Sequence, residues 1–269
     1  MLTSSRRLQP PRPPLRVAVL TSRRAPGLDH LLERDPARGP LYEIVAGVAS
    51  DPESEALPAL RRAGVPAVCH DLGAFCAAWG GKRGDLALRR EYDAGTVRHL
   101  VSYRPDLIVL CGYLHIVTVP LLAAFPGAVI NLHDADLTVV DGDGHPLFRG
   151  LHSTYDALAA GRSETRSTVH LVTTEVDHGP PLVRSWGFPS HPLIQDARRW
   201  GADRMLKAYA YAQREWMMRA AWGPLLARAV RLFALDQVRV LNGRAAIAGR
   251  LGPEQLEPES PPLPRMAKA

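Results

Sequence analysis

The chain has 269 residues, of which 46% are hydrophobic and 22% are charged, and its formal net charge is +6. This composition is typical of one large globular domain, with or without a short appendage, and excludes a disordered or fibrous chain. No apolar run approaches the ~18 to 20 residues of a membrane-spanning helix. The dispersed arginines form no basic stripe of the kind that binds nucleic acid. We therefore expect small-molecule partners, without nucleic acid or membrane among them.

The two ends of the chain indicate where the folded domain begins and ends, and the cysteines indicate the cellular compartment. Residues 1–15 are Pro- and Arg-rich without an apolar core, which predicts a disordered lead-in and no secretion signal. Residues 252–269 have the same character and predict a disordered tail. The three cysteines form no CxxC pair, which is typical of a reduced, cytoplasmic protein.

Short apolar runs alternate with helical segments over the first half of the chain. This order predicts βαβ units and a doubly wound, mostly parallel sheet, because strands covered on both faces need nearly continuous apolar runs. The predicted strands are 16–20, 43–50, 65–72, 106–114 and 128–133, and the predicted helices are 28–34, 53–64, 91–103 and 118–125.

The pattern changes after Gly150. Residues 167–176 alternate like an antiparallel strand that pairs with 181–189, after a helix at 151–161. We expect a catalytic domain over 16–189 and a C-terminal helical extension over 190–251. Within it, a helical region at 194–235 is expected to break at Gly223-Pro224, and 237–249 predicts a hairpin around Asn242-Gly243.

Asn131 and His133 end the fifth predicted strand, where ligands bind in such sheets. Two residues apart, they share one face of the strand. An amide NH₂ and an imidazole together suit a developing oxyanion in acyl transfer. Taken alone, an Asn-x-His is more often a strand end whose histidine bonds a neighbouring loop.

Three other polar segments are ambiguous by themselves. Asp177 lies before a Gly-Pro turn, where an aspartate commonly forms an Asx turn. The loop 21–27 follows the first strand, where α/β proteins bind phosphate, but it lacks the dinucleotide and P-loop patterns. The aspartates of 134–145 do not fit a calcium loop, so a surface loop is expected and no metal.

Four segments, in this order, resemble the formyltransferases that use 10-formyltetrahydrofolate, most closely those acting on glycinamide ribonucleotide. They are 104-RPDLIVLCGYLHIV-117, 130-INLHDADL-137, 150-GLHSTYDALAAG-161 and 168-TVHLVTTEVDHGP-180. The resemblance covers about residues 16–189 and implies a Rossmann-like variant of the doubly wound fold. It also implies 10-formyltetrahydrofolate as co-substrate and Asn131, His133 and Asp177 as the catalytic trio.

The resemblance further implies two sets of binding residues. Those for the folate are Leu114, His115, Ile116, Val117, Thr173, Thr174, Glu175 and Val176. Those for the acceptor amine are Arg23, Arg24, Gly27, Arg89, Gly112 and Glu215, with Trp222 as the alternative to Glu215 at the ribose. We expect a monomer or a homodimer.

Three departures from the family pattern concern the acceptor. The phosphate loop Ser-Gly-Asn-Gly-Ser-Asn is replaced by 22-SRRAPG-27. Pro-Ser-Leu-Leu-Pro after the histidine becomes 134-DADLT-138, and about eight extra residues follow before Gly150. The ribose-contacting glutamate of the family falls at Trp222 without gaps and at Glu215 with an insertion.

Several alternatives remain open at this stage. The acceptor is either glycinamide ribonucleotide, in purine biosynthesis, or another amine such as an amino-sugar nucleotide. The alternative from a different functional class is a folate-binding paralogue that has the fold but no catalytic activity. A formyltetrahydrofolate hydrolase normally carries an N-terminal regulatory domain, and a tRNA-acting relative needs a C-terminal RNA-binding barrel. We expect neither activity, because the first predicted strand begins at Arg16 and the residues after 189 are mostly helical.

Overall fold

The computed structural model of the protein describes residues 14–33, 41–241 and 243–258. The strands are β1 Leu15–Thr21, β2 Tyr42–Ala49, β3 Ala67–Cys69, β4 Leu107–Leu110, β5 Val129–His133, β6 Glu164–Thr165, β7 Thr168–Leu171, β8 Pro181–Arg184, β9 Phe188–Pro189, β10 Val238–Leu241, β11 Arg244–Ile247, β12 Arg250–Leu251 and β13 Glu254–Gln255. The helices are α1 Leu28–Leu32, α2 Ala56–Arg62, α3 Leu72–Ala78, α4 Leu86–Leu100, α5 Val119–Ala124, α6 Ser153–Ala159, α7 Pro192–Arg199 and α8 Asp203–Ala234, with a 3₁₀ turn at Val101–Tyr103.

The central sheet confirms the predicted fold class. Its eight strands lie in the order β13-β8-β7-β5-β4-β1-β2-β3. The first five strands of the chain pair in parallel, and β7 joins β5 and β8 antiparallel. The strand order reverses between β1 and β4, and a crevice for ligands opens at the carboxyl ends beside such a point. Among the described helices, none has the length and apolarity to cross a bilayer.

Two apolar layers cover the sheet. On one face, α1 and α8 pack on β1, β4, β5, β7 and β8 around the largest cluster of buried side chains. On the other face, Leu100 of α4 and Leu121 of α5 pack against β1, β2 and β4. The C-terminal helix α8 therefore shares the core of the sheet, because thirteen of its residues are buried. Each Å² of apolar surface removed from water contributes about 25 cal/mol, so the helix is stabilised by the same core as the sheet and folds with it.

The helix break predicted at Gly223-Pro224 is wrong. Helix α8 runs through Pro224, and the chain breaks instead at Gly201, whose φ of 67° ends α7. A proline inside a helix removes one hydrogen bond and costs about 3 kcal/mol. Trp222 and Leu225, on either side of it, are both buried in the core. The free energy gained by burying these side chains offsets the cost of Pro224, so the helix continues through the proline.

Several predicted boundaries also differ. Helix α3 was not predicted, and it begins with the Asp71 carboxylate accepting from the backbone N–H groups of Gly73 and Ala74. Residues 252–258, expected in a disordered tail, include β13, which pairs in parallel with β8. The predicted hairpin is confirmed by the pairing of β10 with β11. Its Asn242, the lead-in up to residue 13 and the tail from residue 259 lie outside the described residues.

The loop after β7 is held against its own strand by a glycine. A Cβ on Gly179 would lie 1.6 Å from the carbonyl oxygen of Leu171. The backbone N–H of Leu171 also donates to the carbonyl of Pro180, at 3.1 Å. Any side chain at 179 would therefore push this loop, with Asp177 in it, away from the sheet.

We expect Gly179→Ala to lower the free energy of unfolding by about 2–3 kcal/mol, because overpacking against backbone forces the strand to shift. Urea denaturation followed by circular dichroism measures the change. Gly84→Ala is the matched control, since a Cβ at Gly84 meets nothing within 4 Å. Equal stabilities of the two variants would contradict this packing argument.

Candidate active site

The pairing of β5 with β7 brings the predicted amide and a second histidine together. Asn131 on β5 lies opposite His170 on β7 in the antiparallel register. The Nδ2 atom of Asn131 is 3.5 Å from the Nε2 atom of His170. His133, two residues further along β5, presents its ring on the same face of the strand.

The His133 ring has an oxygen opposite each of its nitrogens. Its Nδ1 lies 3.4 Å from the Oδ2 atom of Asp177, and its Nε2 lies 3.0 Å from the Phe148 carbonyl oxygen. Both His133 and Asp177 are buried. Because each nitrogen faces an acceptor, only the doubly protonated imidazolium donates to both oxygens. The structure therefore brings together the three residues of the predicted trio.

Asp177 is held in an uncommon backbone conformation. Its φ of 56° lies in the left-handed region, which aspartate tolerates better than most residues. Its Oδ2 atom also accepts a hydrogen bond of 2.8 Å from the backbone N–H of Gly150. The carboxylate is thus fixed towards His133 rather than turned back on its own loop, as a simple Asx turn would require.

His170 was not among the predicted site residues. Its Nδ1 donates to the Leu171 carbonyl at 2.8 Å, so its Nε2 carries the lone pair that faces the Asn131 amide. Burial lowers the pKa of His170 to about 4, against the opposing effect of Asp177. The 3.6 Å contact of its Nε2 with Asp177 is therefore not an ion pair at neutral pH. Sequence pattern does not distinguish a functional histidine in a buried strand from a structural one. The one indication for His170 was its position in the segment 168–180, before Asp177.

The first predicted folate segment leaves the end of β4. Leu114 and Ile116 are exposed, whereas Val117 is buried. The Leu114 N–H donates to the Ser22 hydroxyl at 3.1 Å. Burial, followed by the charge of a nearby arginine, lowers the pKa of His115 to about 4, and its ring bonds the Ser50 hydroxyl.

The second predicted folate segment follows β7. Val172, just before it, packs in the same apolar cluster as Val117. Thr173 donates from its hydroxyl to the Glu175 carbonyl at 3.1 Å, and Val176 is exposed. The end of the first segment and the residue before the second therefore lie in one cluster, and large apolar side chains of both segments are exposed. The roles of these eight residues, Thr174 included, stay predictions.

The two arginines of the loop 22–27 already have carboxylate partners. Arg23 pairs with Glu53 at the surface, and Arg24 makes a two-point contact with Glu215 of α8, at 2.7 and 3.2 Å. Glu215 thus lies beside the loop, and this hydrogen bond lowers the pKa of its carboxyl. Trp222, the alternative to Glu215, is buried and donates from Nε1 to the Ser167 hydroxyl.

Two glycines shape the crevice at the strand ends. Gly112 has φ 68°, and a Cβ there would lie 2.5 Å from the Arg24 carbonyl oxygen. Gly27 has φ 87° and begins α1, where a Cβ would lie 3.0 Å from the backbone of Gly223. Both positions let the loop after β1 approach its neighbours closely, which only glycine allows at these angles.

Arg89 lies in the interior instead of on an open surface. It donates to the Asp93 carboxylate, the Tyr113 hydroxyl and the Ile116 carbonyl, each at 3.0 Å from Nη2. Its Nη1 atom is buried without a partner in the described part of the chain. Arg89 therefore supports the folate segment through Ile116, and direct contact with the acceptor stays a prediction.

The insertion after His133 forms a short hairpin. Val140 and Pro146 are bridged, and the Asp141 carboxylate accepts from the N–H groups of Asp143 and His145. Asp141, one of the aspartates considered for calcium binding, therefore stabilises this turn. Within the described residues, no group of His, Cys, Asp and Glu is arranged to hold a metal ion.

The family can be read from a comparison with known proteins. Residues 15–186 match the model of the family described as formyl transferase. The chain belongs to the formyl transferase family. This formyltransferase is 33% identical over 175 residues to the phosphoribosylglycinamide formyltransferase of Mycobacterium tuberculosis, covering 65% of this chain and 72% of the relative.

Two further relatives agree with this assignment. The formyltransferase is 33% identical over 177 residues to the trifunctional purine biosynthetic protein adenosine-3 of Drosophila pseudoobscura pseudoobscura, which covers 64% of this chain. The aligned part spans only 11% of that much longer relative. The crystal structure of glycinamide ribonucleotide transformylase 1 from Symbiobacterium toebii superposes with a TM-score of 0.62 at 27% identity, covering 87% of this chain and 94% of the other. The resemblance drawn from the sequence is confirmed at the level of the family and its fold.

We expect the stability of the formyltransferase to fall as the pH is lowered from about 6.5 towards 4. The pKa of His170 is near 4 in the folded chain and about 6.5 in the unfolded chain. Between these values the unfolded state binds more protons, so acid favours unfolding. His70 and His115, whose pKa values burial also lowers to about 4, contribute in the same direction.

Urea denaturation at pH 7 and pH 5 measures this loss for the native sequence and for His170→Asn. The variant keeps a donor for the Leu171 carbonyl but has no titrating ring, so its loss is expected to be smaller. One such group contributes at most about 1.4 kcal/mol per pH unit. The exposed His152→Asn is the control, and an unchanged pH dependence in His170→Asn would refute the assignment.

Proposed function

We propose that this enzyme transfers the formyl group of 10-formyltetrahydrofolate to the primary amine of a small phosphorylated substrate, with glycinamide ribonucleotide as the first candidate. The reaction belongs to purine biosynthesis. The proposal is carried by one observation: the 3.4 Å contact of His133 with Asp177, on the same strand face as Asn131. The names of the bacterial relatives support the choice of acceptor.

The chemistry needs a donor for negative charge. When the amine nitrogen attacks the formyl carbon, the carbonyl oxygen becomes an oxyanion. The Asn131 NH₂ group is uncharged and held by His170, so it donates without reorganising. The His133 imidazolium supplies the second donor, and the oxyanion replaces the Phe148 carbonyl as acceptor of its Nε2–H.

The chemistry also needs a base. The attacking nitrogen becomes positively charged and must lose a proton before the product forms. Asp177 takes this proton through water, and the bond from the formyl carbon to the folate nitrogen then breaks. Water returns the proton from Asp177 to that nitrogen as it leaves, so the products are the formylated amine and tetrahydrofolate. Positioned proton transfer of this kind contributes about 10²–10⁴-fold to a rate.

The remaining residues divide between the two reactants. The exposed Leu114, Ile116 and Val176 suit the flat pterin ring of the folate. On the acceptor side, Arg24 and Glu215 form a charged pair that a phosphate and a ribose hydroxyl can divide between them. Side chains thus take the place of the backbone amides of a glycine loop. We also propose that the enzyme is a monomer or a homodimer and that it is located in the cytoplasm.

Purified enzyme with 10-formyltetrahydrofolate is expected to release tetrahydrofolate only when glycinamide ribonucleotide is present. Absorbance follows the release, and His133→Ala is expected to abolish it because both ring donors are lost. Release without any acceptor would indicate a hydrolase. Folate binding without release, with this acceptor and with amino-sugar nucleotides, would indicate a non-catalytic paralogue.

Asn131→Asp is expected to lower kcat by at least about 100-fold, because it places an acceptor where the oxyanion needs a donor. Asn131→Ala, which leaves no charge, is the comparison and is expected to be impaired no more than Asn131→Asp. The KM for the folate is expected to change little in both. An active Asn131→Asp enzyme would refute the role of the amide.

A further inference from the structure

Three polar side chains meet at the carboxyl ends of neighbouring strands, outside the contact of His133 with Asp177. Ser22 follows β1, Ser50 follows β2, and His115 lies in the segment after β4. These strands are adjacent in the sheet, in the order β4-β1-β2. Both serines are buried, with 6% and 2% of their surfaces exposed. Buried hydroxyl groups need hydrogen-bond partners, so the partners of these serines indicate what the cluster does.

The hydrogen bonds of this cluster run in one direction. The Ser50 hydroxyl donates to the Ser22 oxygen, which lies 3.2 Å away. The Nε2 atom of His115 lies 3.1 Å from the Ser50 oxygen. Since Ser50 gives its hydrogen to Ser22, it can only accept from His115, and Nε2 must carry a hydrogen. Burial, followed by the charge of Arg89, lowers the pKa of His115 to about 4, so the ring is neutral at pH 7.

The Ser22 hydroxyl ends this chain of hydrogen bonds with one unused donor. Its oxygen also accepts from the backbone N–H of Leu114, at 3.1 Å. A hydroxyl oxygen has two lone pairs, and the donors of Leu114 and Ser50 use both. The hydrogen of the Ser22 hydroxyl has no acceptor within the described part of the chain. A buried donor without an acceptor is costly, which favours a ligand oxygen as its partner.

The position of this donor relates it to the acceptor amine more than to the folate. Ser22 begins the loop 22–27, which also carries Arg24, the partner of Glu215. The backbone N–H of Ser22 donates to the carbonyl of Gly112, one of the residues predicted to bind the acceptor, at 3.3 Å. The free hydroxyl hydrogen therefore belongs to the acceptor side of the crevice.

The ring of His115 serves this hydroxyl, although His115 was predicted to bind the folate. Its Nε2–H is engaged by Ser50, so it is not available to a ligand. The neighbouring Leu114 side chain is exposed and makes no part of this chain of bonds. Successive hydrogen bonds polarise one another in a buried network. The bond from His115 to Ser50 thus fixes the Ser50 hydroxyl and, through it, the orientation of the Ser22 hydroxyl.

We propose that the Ser22 hydroxyl donates a hydrogen bond to an oxygen of the acceptor substrate, and that Ser50 and His115 are positioning residues that orient this hydroxyl. The inference rests on the proposed function and adds a binding residue to the acceptor side. A neutral donor suits this place, because the loop 22–27 has lost its glycine-rich backbone and the Arg24 guanidinium is already paired with Glu215.

The test measures both reactants in one set of variants. The kcat and the KM for glycinamide ribonucleotide and for 10-formyltetrahydrofolate are determined for the native enzyme, Ser22→Ala, His115→Leu and His115→Gln. We expect Ser22→Ala to raise the KM for the acceptor about three- to tenfold, the effect of one lost hydrogen bond, with kcat within about twofold and the KM for the folate unchanged. His115→Leu is expected to raise only the KM for the acceptor, about two- to fourfold.

The conservative variant and a double variant distinguish positioning from a structural effect. His115→Gln is expected to stay within about twofold of the native enzyme, because a glutamine amide presents an N–H donor near the place of Nε2. Adding His115→Leu to Ser22→Ala is expected to raise the KM for the acceptor no further, since His115 acts through Ser22.

Thr96→Val is the matched control. It removes a hydroxyl that lies 3.1 Å from the Nδ1 atom of His70, a contact of the same kind outside this cluster, and is expected to leave both KM values unchanged. Urea denaturation checks that each variant folds. If Ser22→Ala does not fold, Ser50→Ala takes its place, because it leaves the bond from Leu114 to Ser22 intact and is expected to act like His115→Leu.

The outcomes separate this inference from the proposed function. Additive effects of His115→Leu and Ser22→Ala, or equal impairment of His115→Gln and His115→Leu, would overturn the positioning role. A raised KM for the folate in His115→Leu would make His115 a folate contact and would also overturn the inference, while formyl transfer would stand. Failure of the native enzyme to use glycinamide ribonucleotide would refute the proposed acceptor, and this inference with it.

Discussion

The antiparallel pairing of β5 with β7 is the constraint on which the site depends. It sets Asn131 opposite His170 and lets the loop after β7 return to the end of β5, where Asp177 meets His133. A slip of one residue in this register would turn Asn131 and His133 to the opposite face of the sheet. The close contact of Gly179 with the Leu171 carbonyl fixes the same loop from the other side. Register and loop together determine the geometry of all four polar side chains.

The insertion is integrated into the site instead of lying on its surface. Phe148, at its end, is buried and places its carbonyl on the His133 ring, and Gly150 follows with the hydrogen bond to Asp177. The charged residues that precede it have ion-pair partners: Asp134 pairs through Oδ2 with Arg214 of α8, although its Oδ1 is buried without a hydrogen-bond partner in the described part of the chain, and Asp136 pairs with Arg184 of β8. Partly buried carboxylates need such partners, because an unpaired charge there is costly. These pairs connect the segment after β5 to both the sheet and α8.

At the proposed acceptor site, a long-range ion pair lies where the family pattern has a glycine-rich loop. Arg24 and Glu215 are far apart in sequence, yet their contact joins the loop after β1 to the middle of α8. Helix α8 reaches that loop because Gly27 and Gly223 allow close approach. The C-terminal helix therefore contributes both to the core and to the contact with the loop after β1.

The sequence by itself determined the parallel strands, the antiparallel pair after them and the positions of Asn131 and His133, because apolar periodicity and two-residue spacing are local properties. It did not predict the continuity of α8 through Pro224, the added strand β13 or the placement of His170 against Asn131. Each of these depends on partners distant in the chain: core contacts of Trp222 and Leu225, the edge of β8, and the amide of Asn131. The burial of Trp222 and the pairing of Glu215 with Arg24 are likewise tertiary facts, and the ribose contact of Glu215 stays a prediction. Local patterns specify elements, whereas burial and pairing energies arise when the elements meet, and only the tertiary structure decides them.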